Sequence, residues 1–131
     1  MDDAILKKLK FRAGMTALVL HAPQDYPALE APGDAAADFV HLFVTSRDEF
    51  AERFATAADA VKENGLLWVS YPKARGKQKY DINRDSLWHL ALDAGWHPVA
   101  QAALDDNWSA VRMKRNEAGK VYEKPGNIKA R

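Results

Sequence analysis

The chain has 131 residues, 47% hydrophobic and 28% charged; this suits one compact domain burying roughly two thirds of its unfolded surface. Its 19 Lys+Arg and 18 Asp+Glu leave a formal net charge of +1, which argues against a globally basic nucleic-acid binder and against an acidic, disordered chain. Cysteine is absent, so disulfides, thiolate metal sites and cysteine nucleophiles are excluded.

The balance hides an asymmetry. Residues 1–65 carry 7 basic and 11 acidic residues, net −4, and residues 66–131 carry 12 and 7, net +5. No linker composition or internal repeat separates the halves, so the asymmetry belongs to one domain.

In chain order, Ile5, Leu6 and Leu9 predict a short helix over 2–10, with acids at its start and lysines at its end. The apolar run Met15–His21, stopped by Pro23, predicts a buried parallel strand. Residues 23–37 contain three prolines and Gly33 and leave room for one short helix around Tyr26–Glu30. Asp38–Thr45, rich in aromatic and β-branched residues, predicts a second strand. Ser46 and Glu49 then form a capping-box signature, and Phe50, Phe54, Ala57, Ala58 and Val61 share one helical face up to Asn64-Gly65.

Leu66–Tyr71 predicts a third strand, closed by Pro72. A loop with a basic residue at every other position follows, Lys73, Arg75, Lys77 and Lys79. Asp81 or Asn83 caps a helix running through Leu87, Trp88, Leu90 and Ala91 to Gly95. Pro98–Leu104 and Trp108–Lys114, joined at Asp105-Asp106-Asn107, predict an antiparallel hairpin. The expected domain spans 1–114, and 115–131 is expected to be a flexible basic tail. Strands alternating with helices predict an α/β fold: a three-layer Rossmann-like sandwich, its sheet of about five strands mostly parallel and ending in an antiparallel hairpin.

The segment Leu9–Leu20, the strands Asp38–Val44 and Gly65–Ser70 around their helix, and the closing hairpin are similar to parts of a class I methyltransferase domain. More closely, the chain to about Lys114 resembles a bacterial family of small proteins of unknown function with a truncated methyltransferase-like fold. That resemblance rests on Leu67–Lys73, Ile82–Trp88 and Asp105–Arg112. It implies a fold without an activity. S-adenosylmethionine chemistry is disfavoured by the residues themselves: His21-Ala22-Pro23 follows the first strand where a glycine-rich turn is needed. The two nearest glycines, Gly119 and Gly126, are too far apart for any such motif. No cofactor is expected.

Ligands of open α/β sheets bind beyond the carboxyl ends of the parallel strands. On the predicted topology that rim receives His21, Ser46, Tyr71, Lys73, Asn83, Arg84 and the hairpin tip. The leading expectation is a non-catalytic module that binds an anionic small molecule or a protein there. Tyr71, Lys73, Asn83 and Arg84 would hold the ligand, and Trp108 and Ser109 would form one wall. The alternatives are an enzyme at the same rim, with Asp106 as acid or base, and a homodimeric interaction protein. The four histidines lack metal spacing, so no metal is expected, and G-x-S-x-G is absent. Nucleic acid is not the favoured partner. The apolar runs are too short to cross a bilayer, and Met1-Asp2-Asp3 lacks a basic leader start. No membrane partner and a cytoplasmic location are expected.

Overall fold

A computed structural model describes residues 1–74 and 79–129. Its elements are α1 (Ala4–Lys8), β1 (Ala17–Leu20), β2 (Ala37–Phe43), α2 (Arg47–Ala60), β3 (Val61–Pro72), α3 (Arg84–Asp93), β4 (Trp96–Ala103) and β5 (Trp108–Arg115). The five strands lie in the order β1-β2-β3-β5-β4. β1 pairs with β2 and β2 with β3 in parallel, whereas β5 runs antiparallel to both β3 and β4.

The two-residue period of a strand divides the core into two faces. Val40, Leu42, Leu67, Val69, Val111 and Met113 face α2 and α3, meeting Phe50, Phe54, Ala57, Leu87 and Ala91. On the opposite face Phe39, Phe43, Trp68 and Ala110 are covered by Ile5 and Leu9 and by Phe11, Tyr26 and Leu29 from irregular backbone. Trp68 donates its indole N–H to the Leu9 carbonyl at 2.9 Å, tying that cover to β3.

This corrects the three-layer Rossmann-like and methyltransferase-like expectation. The sheet is mixed, with two parallel and two antiparallel pairings. Among the described residues the three helices have 5, 14 and 10 residues; the two longer ones cover one sheet face, and the other is covered by irregular backbone with only the five-residue α1. The physical cause lies in the β1–β2 connection. Its prolines disfavour helix, no helix forms at Tyr26–Glu30, and the chain crosses the sheet as a loop.

Boundaries moved where tertiary pairing outweighs local signals. Ser46 caps α2 by accepting from the Glu49 amide at 3.1 Å, while the Glu49 carboxylate reaches back to the amide and hydroxyl of Thr45. The helix ends at Ala60 rather than Asn64, because the β-branched Val61 is extended and pairs with Ala37. The stretch read as a flexible tail, 115–131, contacts the domain up to residue 129. Tyr122 stacks on His97 at 4.0 Å, Asn127 accepts from Arg84 at 3.2 Å, and Ile128 is buried.

β3 carries an irregularity in its register with β2, between Ala37 and Phe39. Gly65 sits there with no room for a side chain: a Cβ would lie 2.9 Å from the Lys62 carbonyl oxygen and 3.1 Å from that of Asp38. Gly65→Ala therefore forces backbone apart and is expected to cost about 1–3 kcal/mol, read as a lowered midpoint in urea unfolding; an unchanged midpoint would contradict the packing described.

Candidate functional site

At the carboxyl-end rim the polar groups are largely engaged with one another. Lys73 Nζ donates to the Asp105 carbonyl at 2.6 Å and its amide to the Asn107 carbonyl at 2.8 Å. Asn83 is the N-cap of α3, accepting from the Ser86 amide and donating its own amide to the Ser86 hydroxyl. Arg84 bonds the Asn127 carbonyl and lies 3.7 Å from Asp85. The Arg47 side chain and amide both bond Asp81, closing the gap between the starts of α2 and α3.

The remaining expected residues separate. Tyr71 and Ser109 are register partners on the helix face, where Gln101 donates to the Tyr71 hydroxyl at 3.2 Å. Burial pushes the Tyr71 phenol up, and a hydrogen bond with Ser109 partly offsets this. Trp108 projects from the opposite face and packs edge-on against Phe43 at 5.0 Å. Adjacent strand residues point to opposite sides, so Trp108 and Ser109 do not build one wall. Asp105 accepts from the Asn107 and Trp108 amides as a turn former. Asp106 is exposed at the hairpin turn. Arg75 and Lys77 of the basic loop lie outside the described residues.

A second constellation, absent from the sequence expectations, is buried under the loop. His41 Nε2 lies 2.6 Å from Ser70 Oγ, and His41 Nδ1 lies 2.8 Å from the Tyr26 hydroxyl. Either neutral tautomer satisfies both contacts, since each hydroxyl can donate or accept. The order hydroxyl–imidazole–hydroxyl has the form of a nucleophile with its base. Yet His41 and Ser70 are both 0% exposed, so no substrate reaches them. Burial drives the His41 pKa down to about 3 and pushes the Tyr26 phenol up. The chain anchors the β1–β2 loop to the sheet.

Two cavities lie at the other end of the sheet. One, of about 730 Å³, is lined by Lys62, Arg112, Lys114 and Arg115 and reaches the helix face at Trp96. The other, of about 640 Å³, is lined by Lys7, Lys10 and Arg12 and reaches the opposite face at Phe11. They share Lys62–Gly65 and Arg112 as a common wall, making one cleft that wraps the amino end of β3.

Seven cations meet three carboxylates along this cleft. Asp38 is held below the usual carboxylate range by its hydrogen bonds from Lys62 and from the Thr16 amide. Glu117 is paired to Lys120 at 2.8 Å. Arg115 lies 4.6 Å over the Trp96 ring. Among the described residues, Lys7, Lys10, Arg12, Arg112 and Lys114 form no ion pair. Arg112 is the unusual member: it is half-buried, and its Nε is shielded from solvent without a hydrogen-bond partner. An unsatisfied buried donor on a charged group is costly, and with Nε closed to solvent a ligand would meet this guanidinium at its outer nitrogens, which are not so shielded.

Among the described residues, no group of three or more His, Asp or Glu side chains could hold a metal ion. None of the described helices is long and apolar enough to cross a membrane. No protein-family model matches the chain, and no curated protein matches it.

The buried histidine yields a pH dependence with a definite sign. In the unfolded chain His41 binds a proton near its ordinary value, about 6.5, whereas in the fold it stays neutral to about 3. Between those values the unfolded state binds more protons, so stability is full above the upper value and falls as pH drops. The expected slope between pH 6 and 4 is about 1.4 kcal/mol per unit, measured by urea unfolding, and it should flatten in His41→Gln. A wild-type profile flat across that window would contradict the buried neutral imidazole.

Proposed function

We propose that this domain is a non-catalytic module that binds an anionic ligand, and that it does so in the cleft at the amino end of the sheet. The single observation that carries the reading is the Arg112 guanidinium, half-buried and without a hydrogen-bond partner or ion pair among the described residues, on the wall common to both cavities. A phosphate or carboxylate oxygen is the acceptor a guanidinium fork suits best. Around it the cleft offers cations and no acid–base pair poised for chemistry, which favours binding over catalysis.

The carboxyl-end rim is the weaker candidate. Lys73, Asn83 and Arg84, the residues expected to hold an anion, already bond backbone or cap a helix. Displacing those bonds would charge a ligand with replacing them, whereas Arg112 has a donor to spare.

Inorganic pyrophosphate serves as the probe anion in titration calorimetry. Arg112→Met keeps the aliphatic stem that packs on β3 and removes the fork. Pyrophosphate affinity is expected to fall about tenfold or more, the scale of a charge-assisted hydrogen bond. Lys73→Met combined with Arg84→Met should leave it within about twofold. An unchanged affinity in Arg112→Met, or a loss confined to the double variant, would return the site to the opposite rim.

A further inference from the structure

Resting on that reading of the cleft, we infer that its ligand is a single-stranded nucleic acid, held by its phosphodiester backbone along a track that passes through both cavities. The form of the charge points there. A compact dianion is best held where cations converge on one point. Here they are spread in sequence along the cleft: Lys7 and Lys10 at the α1 end, Arg112 at the shared wall, Lys114 beyond it on β5. Each cavity alone has the volume of a small-ligand site, about 300–1,000 Å³, and the two are continuous through Lys62–Gly65 and Arg112. A polymer with one negative charge per residue matches such a stripe.

The shape selects the strand form. The cleft is concave and curls round the end of β3 from Trp96 on one face to Phe11 on the other. A duplex is read by an element that projects into its groove, and a concave track accepts a single strand instead. Phe11, half-buried at one end of the track, is placed to offer a ring edge or face to a base. Trp96 is already covered by the Arg115 guanidinium. Contacts are therefore mainly to phosphate, and binding is indifferent to sequence.

An acidic peptide is the competing polyanion. Extended peptides gain affinity by joining a free strand edge and by seating alternate side chains in pockets. The cleft lies across the ends of β3 and β5, both interior strands, so a peptide there could extend only the short unpaired stretch Lys62–Gly65. A phosphodiester backbone needs neither. The near-zero net charge does not oppose this, because the cations gathered here come from both charge-opposed halves of the sequence.

The test is fluorescence anisotropy of the full chain with labelled oligo-dT and oligo-U of about twelve nucleotides, within the usual span for such grooves, across a salt series. Five cations free of both an ion pair and the Trp96 stack, Lys7, Lys10, Arg12, Arg112 and Lys114, predict a slope of log K against log salt of about −3.5, at roughly 0.7 per phosphate neutralised. Lys10→Met together with Lys114→Met, both exposed and at opposite ends of the track, should reduce the slope to about −2 and weaken the oligonucleotide about tenfold or more. Pyrophosphate, short enough to meet only the cations nearest Arg112, should lose clearly less affinity in this pair than the oligonucleotide does. Pyrophosphate binding with no oligonucleotide binding, or with a slope shallower than about −1, overturns the strand inference and leaves the anion reading standing. Equal affinity for poly-glutamate of similar length overturns the assignment to nucleic acid. An unaltered oligonucleotide slope in the double variant places the strand elsewhere and overturns the track. Failure of both probes overturns the inference and the anion reading together.

Discussion

The arrangement depends on the antiparallel entry of β5 between β3 and β4. Because β5 runs against β3, its final residues, Arg112 to Arg115, return to the end of the sheet where β2 and β3 begin. Six ladder partners from Leu67↔Met113 to Pro72↔Trp108 hold that register. A one-residue slip would exchange Val111 and Met113, which fill the helix-side core, with Arg112. The buried pair therefore fixes the position of the charged one, and the cleft is a consequence of core packing.

The same reversal accounts for the division of labour between the two ends. At the carboxyl end, loops must be joined, α2 and α3 must be capped and the hairpin must turn; Ser46, Asn83, Arg47 and Asp105 are spent on those tasks. At the amino end, β3 begins directly from α2 with an irregular stretch, Lys62–Gly65, in which Lys62 pairs with Asp38 while Arg112 on the same cleft wall is left without an ion pair. The β1–β2 loop belongs to this economy too. Lacking a helix, it is fastened through Tyr26 to His41 and Ser70, and its burial of Phe39 and Phe43 substitutes for a missing helical layer.

Much of the helix-side architecture was legible because its signals are local. Ser46 and the Phe50–Phe54 spacing mark the start and face of α2, and Asp105-Asp106-Asn107 marks the final hairpin. What was lost needed contacts between distant residues. Val61 reads as a helix position until its pairing with Ala37 is known. Tyr122, beside the exposed Val121, and Ile128 lie in a polar stretch, and nothing periodic announces that they dock. The wall imagined from Trp108 and Ser109 ignored the alternation of a strand, a rule available from sequence alone.

The cleft was the least legible feature. Its cations come from the first dozen residues, from Lys62 and from the end of β5, and nothing short of the topology brings them together. Lys7, Lys8 and Lys10 read adequately as dipole partners of α1, Lys114 as the end of the last strand and Arg115 as the start of the tail. The rule that ligands favour the carboxyl rim of parallel strands pointed to the opposite end. That rule weakens when half of the pairings are antiparallel, since the reversed strand delivers its carboxyl end to the other rim. The charge asymmetry did not help, since Lys7, Lys10, Arg12 and Lys62 come from the acidic half of the chain.

The most direct measurement is backbone amide chemical-shift mapping during a pyrophosphate titration. The account predicts that the largest shifts fall in 62–65 and 112–115, at the amino end of the sheet. Largest shifts at Tyr71, Lys73, Asn83 and Arg84 would contradict it and restore the carboxyl-end rim as the site.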